Sequence, residues 1–114
     1  RTPDFDITIG DAGGLETSGY ISSAILIDGS LQSITTSTAA WEMSNNSATP
    51  QYSGQVILTL KDASDYTWTQ SHLVIGQNGR IGFGGGLKAL SAELTQLSIS
   101  GGTFDGGSIN IMYI

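Results

Sequence analysis

The stretch LTQLSISGGTFDGGSINIMYI, residues 94–114, decides how the rest of this chain is read. In its first part Leu97 and Ile99 fall on one face of an alternating run, and in its last part Ile109, Ile111 and Tyr113 do the same. Period-two alternation of apolar and polar residues marks a strand with one buried face. The connector GGTFDGG is rich in glycine, which reaches positive φ at little steric cost. The segment therefore predicts an antiparallel β-hairpin with Thr103, Phe104 and Asp105 at its tip. An end this apolar has to pair inside a sheet, because an unpaired apolar strand is a template for aggregation.

Working outward from that hairpin, the same signals recur along the chain. Phe5, Ile7 and Ile9 alternate with Asp6 and Thr8 and stop at Gly10-Asp11. Tyr20 to Ile27 (YISSAILI) is a more continuous apolar run, and Asp28-Gly29 after it is a hairpin dipeptide leading to a strand from Leu31 to Thr36. Trp41 and Met43 flank Glu42 in a brief strand, and residues 44–54 (SNNSATPQYSG) form the longest expected loop. Gln55 to Lys61 alternates with Val56, Leu58 and Leu60 inward and Ile57 as the one misfit. Asp62 to Asp65 is a turn, Tyr66–Thr69 and His72–Ile75 are short strands, and Asn78-Gly79 is a second hairpin signal. Gly84-Gly85-Gly86 reads as a connector too flexible for any element. Leu87, Leu90 and Leu94 have spacings that admit a two-turn helix, although Ser91 to Leu94 can equally enter the next strand. Eight to ten short strands with glycine turns predict an all-β fold, an antiparallel β-sandwich or jelly roll. Residues 1–114 read as a single domain, and a start at Arg1 without methionine points to a processed or C-terminal part of a longer chain.

Composition bounds the partners. The chain has 114 residues, enough for one domain that buries roughly 65% of its unfolded surface. Ten acidic residues against four basic ones give a net charge of −6, a poor match for nucleic acid or an anionic membrane, both of which need clustered Lys and Arg. Charged residues make up only 12%, and no apolar run approaches the length of a membrane-spanning helix. There is no cysteine, so disulfides and thiolate metal sites are excluded.

The residues that could carry chemistry are few. His72 is the single histidine and, without a neighbouring acid or cysteine, reads as a hydrogen-bonded structural side chain. Asp62 and Asp65 share a turn that could hold calcium, but two carboxylates fall short of the usual ligand count and turn hydrogen bonds explain them better. Gly82-Phe83-Gly84-Gly85-Gly86 lacks the Lys-Ser or Lys-Thr of a phosphate loop. Glu16, Glu42 and Glu93 are scattered, and nothing pairs them for glycoside cleavage. No metal and no cofactor is expected. Trp41, Tyr52, Tyr66 and Trp68 are the candidate ligand residues, because aromatic faces stack on sugar rings. Against this stands the reading of Trp41 and Trp68 as core residues, and a third in which they face a neighbouring subunit.

Residues 94–114 also resemble the closing segment of a β-rich domain of tailed-bacteriophage virion proteins such as tail fibres, receptor-binding proteins and head appendages. The resemblance rests on Leu94, Leu97 and Ile99 in one strand, Thr103, Phe104, Asp105 and Gly107 in the loop, and Ile109, Asn110 and Tyr113 in the last strand. It covers about the last twenty-five residues well, and upstream the strand from Tyr20 and the segment SGQVILTLKDASDYTW look like earlier strands of the same domain type. It implies a non-enzymatic module on the particle surface that builds an appendage or attaches to a host surface, including its polysaccharide, alongside other virion proteins. It implies no catalytic residue, and gives Phe104 and Asp105 structural roles in the loop.

Scarce charge adds an expectation about assembly. Long stretches such as Tyr20–Ile27 and Leu31–Trp41 carry no charge, and uncharged sheet edges invite pairing with another chain. A closed homo-oligomer, a trimer first of all, is expected. The competing readings are a bacterial surface adhesin or pilus-type subunit and, further off, a glycan-active hydrolase.

Overall fold

The computed structural model describes residues 5–43, 52–76, 79–100 and 112. Nine strands run in the order β1 (Phe5–Asp11), β2 (Gly14–Leu15), β3 (Ile21–Asp28), β4 (Leu31–Ser37), β5 (Trp41–Met43), β6 (Tyr52–Asp62), β7 (Thr67–Gly76), β8 (Ile81–Ala89) and β9 (Gln96–Ser100). All pairings are antiparallel, and no helix occurs among the described residues. The protein is an all-β sandwich, as alternation and turn spacing predict.

One sheet is built around β1. Its Asp6 and Ile7 pair with β5 on one edge and with β9 on the other, and its Gly10 pairs with both β2 and β9. The other sheet has the order β4-β3-β8-β7-β6. The first is the smaller sheet A and the second the larger sheet B. Ile7 and Ile9 from β1 and Trp41 and Met43 from β5 form the core with Tyr20 and Leu90. Val56, Leu58, Trp68 and Ile99 close in around them. In antiparallel sheets directly opposite residues share a face. Leu97 and Ile99 therefore lie on the face of Ile9 and Ile7, their register partners.

The Asp28-Gly29 signal marks a true hairpin, with Asp28 paired to Leu31 and Gly29 at φ +64°. Other expectations are revised. Tyr66–Thr69 and His72–Ile75 are not two strands: residues 67–76 form one strand, β7. The expected long loop ends early, since Tyr52 to Gly54 already belong to β6. Leu87 to Leu94, left open by the sequence between a short helix and the approach to a strand, takes the non-helical course: its first residues end β8 and the rest leads irregularly into β9.

Gly84-Gly85-Gly86 is the clearest reversal. It is no connector but the middle of β8, paired to β3 on one side and β7 on the other. Gly84 and Gly86 leave no room for a side chain: the β3 backbone crowds both, and Trp41 of sheet A packs onto Gly86. A Cβ on Gly86 would lie 2.6 Å from Trp41 Cδ1, and one on Gly84 would lie 2.8 Å from His72 Cε1. Glycine normally weakens a strand interior, and close approach of another group is the usual reason to find it.

The terminal hairpin that organises the sequence reading is described only in part. Its first strand is β9, whose described partner is β1. Thr103, Phe104, Asp105, Gly107, Ile109, Asn110, Ile111 and Tyr113 lie outside the described residues, as does Asn78 of the second hairpin signal.

Candidate binding surfaces

The four aromatic candidates do not form one site. Trp41 is 0% exposed. Its ring meets Tyr20 edge to face at 5.6 Å between centroids, and its Nε1 donates to the Leu87 carbonyl at 3.3 Å. An indole with no free face cannot stack on a sugar, so Trp41 is a core residue, its position made by the flat floor of β8. Tyr66 and Trp68 are half-buried and pack against the core cluster from its margin. Tyr52 contributes backbone to β6, opposite Gly76.

Tyr66 is the one residue besides glycine with positive φ, +55°, among the described residues. That conformation is costly for a bulky side chain. It turns the Tyr66 carbonyl to accept a hydrogen bond from Leu90 N at 3.0 Å, which ties the β6–β7 turn to the segment after β8. The same turn holds both acids weighed for calcium. Asp62 Oδ1 accepts from Ser64 N at 2.9 Å and from Ser64 Oγ at 2.6 Å, and these bonds hold its carboxyl below the usual range. Asp65 Oδ1 accepts from Thr67 Oγ1 at 2.5 Å. Both carboxylates thus serve the turn's own geometry.

His72 is buried on the inner face of β7, two residues from buried Gln70. Its Nδ1–H donates to Gln70 Oε1 at 3.0 Å, and burial pushes its pKa below the ordinary histidine value. The Nε2 atoms of both side chains are buried without a hydrogen-bond partner among the described residues.

A second polar group fastens the ends of the sandwich. The Tyr20 hydroxyl accepts from Ile9 N at 2.9 Å and donates to the Glu16 carbonyl at 2.9 Å. Lys88 Nζ lies over the Tyr20 ring at 5.3 Å and 3.4 Å from Glu16 Oε1. A cation buried over an aromatic face and beside a carboxylate is satisfied twice. Asp11 accepts from Gly13 N at 2.9 Å and from Ser91 Oγ at 2.6 Å, which holds its carboxyl below the usual range. Among the acids read as scattered, Glu16 is thus engaged with Lys88, and Glu42 stands directly opposite Asp6 on the outer face of sheet A.

The feature that sequence reasoning missed is the outer face of sheet B. Along one cross-strand row the register sets Ile34, Ile25, Phe83 and Leu73 side by side, and along the next it sets Ile27, Ile81 and Ile75. Ile34 is 70% exposed, Ile75 51% and Phe83 44%. Ser23, Ile25, Ile34 and Phe83 line a shallow depression there. The signal was present in YISSAILI, whose apolar residues occupy both faces of β3: Ala24 and Leu26 inside, Ile25 and Ile27 outside. A strand apolar on both sides is what a strand covered on both sides looks like.

No protein-family model, no curated protein and no solved structure matches this chain.

Proposed function

We propose that this protein is a non-enzymatic structural and attachment module of a bacteriophage virion, a tail-fibre, head-appendage or decoration domain that works as a homo-oligomer on the particle surface. The observation that carries the reading is the outer face of sheet B, where uncharged aliphatic rows stand exposed on an all-β scaffold. Monomers rarely leave contiguous apolar surface beyond a few hundred Å² open, and larger patches mark interaction sites. The resemblance of residues 94–114 to phage virion domains supplies the setting. Half-buried Tyr66 and Trp68 at the β6–β7 end favour a second role, contact with host-surface polysaccharide, because neither residue is fully enclosed.

Two measurements test this. Sedimentation velocity at micromolar concentration is expected to show a homo-oligomer; a stable 11.9 kDa monomer defeats the assembly reading. A glycan array is expected to give signal that falls in Trp68→Ala, and a blank array removes the polysaccharide role while leaving assembly standing.

A further inference from the structure

We propose that the outer face of sheet B docks a second copy of this chain, sheet face against sheet face, about a two-fold axis lying in the interface. The proposal rests on the assembly reading for there being a second copy at all, and adds which surface joins the copies and in what symmetry.

The extent of the surface comes first. Within its two apolar rows the exposed side chains range from 39% for Ile81 to 70% for Ile34, with Ile21 at 63% and Ile57 at 52% on the margins. Together these expose roughly 600 Å² of apolar side chain, and the intervening Ser, Thr and Gly positions bring the face to the ~800 Å² per partner of a standard stable interface. A patch that large is at or above the ceiling for a typical monomer.

Chemistry then selects the occupant. None of the outward residues of β3, β4, β7 and β8 is charged: Gln32 continues the Ile27 row, and Thr36, Ser23, Gly85 and Ser71 form the row on the other side of Ile25. A membrane surface or an acidic or basic partner would be met by complementary charge, and this face offers none. A second copy needs none. Self-association also keeps the −6 net charge off the contact, since charged residues sit elsewhere on the chain.

Symmetry makes the fit specific. A two-fold axis along the strands, between β3 and β8, carries each cross-strand row onto its own copy. Ile25 then meets the partner subunit's Phe83, and Ile34 meets the partner subunit's Leu73. Flat aliphatic faces packed this way repeat the geometry of a β-sandwich interior, about 10 Å between sheets. The result is an isologous pair rather than the three-fold assembly expected from charge scarcity alone.

The test is sedimentation velocity on Phe83→Lys, Ile34→Lys and Leu31→Lys, with circular dichroism and melting curves to confirm folding. Leu31 is as exposed as Ile34, at 69%, and lies on the same edge strand, but its partner Asp28 places it on the opposite face. Phe83 lies on a central strand, where it cannot affect edge pairing. The wild type is expected to dimerise, with Kd raised about 100-fold or more by Phe83→Lys, as for a hot-spot residue, and less than about tenfold by Leu31→Lys. A Phe83→Lys protein that associates like wild type overturns the proposal and leaves other modes of assembly standing. Equal loss in Leu31→Lys overturns it in favour of edge pairing through β4. A monomeric wild type, including one that instead adsorbs to lipid vesicles, overturns it together with the assembly reading. Should a lysine variant unfold, Ser23→Cys decides the matter: in this cysteine-free chain a cysteine beside the axis is joined to its symmetry mate by a short flexible bis-maleimide that spans the ~10 Å between facing sheets, and the absence of a covalent dimer overturns the proposal.

Discussion

Replacing Gly86 with alanine tests the account of β8 most sharply. The added methyl would sit 2.6 Å from Trp41 Cδ1 and 2.7 Å from its Nε1, and would press on the Ile21 carbonyl of the neighbouring strand. Ordinary van der Waals contact begins near 3.4 Å, so the indole or the β3–β8 pairing must move by most of an ångström. Trp41 has no empty space to move into, being fully buried against Tyr20. Overpacking of this kind costs ~1–3 kcal/mol. Displacing the indole also weakens its 3.3 Å hydrogen bond to Leu87 O, worth ~1 kcal/mol. Alanine recovers ~0.5–1 kcal/mol by restricting the unfolded chain. The net expectation is a loss of ~1–3.5 kcal/mol, a large share of the ~5–15 kcal/mol of a typical domain. Gly85, one residue earlier, is the internal control: it faces outward, and its nearest atom is Gln70 O at 3.0 Å. Gly85→Ala is therefore expected to change stability by less than ~1 kcal/mol, the scale of a surface substitution. Urea denaturation followed by tryptophan fluorescence measures both. If the two variants have the same midpoint, residues 84–86 behave as the flexible connector that composition suggests, and the packing argument is wrong.

Tyr20→Phe removes the hydroxyl that bridges Ile9 N and Glu16 O inside the core, and is expected to lower unfolding free energy by ~1–3 kcal/mol, since buried backbone groups are left unpaired; a change within ~0.3 kcal/mol in urea titration counts against the bridge. Burial depresses the folded pKa of His72 below the ordinary histidine value of 6.5, so the unfolded chain takes up its proton first. Its contribution is fully present above pH 6.5 and is lost as pH falls from there through the folded pKa, and His72→Gln is expected to flatten that part of the Tm–pH profile. Asp62 and Asp65 are held by their own turn, so EDTA is expected to leave Tm unchanged; a drop of several degrees would reinstate a metal there.

Much of the fold was legible because strands with one wet face write themselves as alternation. Phe5 to Ile9 and Trp41 to Met43 appear in the sequence as they appear in sheet A, and Asp28-Gly29 marks its hairpin because few residues tolerate positive φ. The core role of Trp41 was legible only as one of three readings, since an aromatic in a strand has the same local signature whether it faces a ligand, the opposite sheet or a neighbouring subunit.

What the sequence by itself determined is therefore the local part: where the chain extends, where it turns, and that four basic residues stand against ten acidic ones. Pairing between residues far apart was decided only in three dimensions. β1 is flanked by β5 and β9, more than thirty and eighty residues away, and no local propensity names those partners. The three glycines look like a break because glycine has no strand preference of its own, yet they form the middle of a central strand, where Trp41 lies across the missing side chain of Gly86 and the β3 backbone and His72 crowd that of Gly84. The apolar outer face of sheet B arises the same way. Ile25, Ile34, Leu73 and Phe83 are scattered over fifty-nine positions, and become one row only when the hydrogen-bond register of four strands brings them into line.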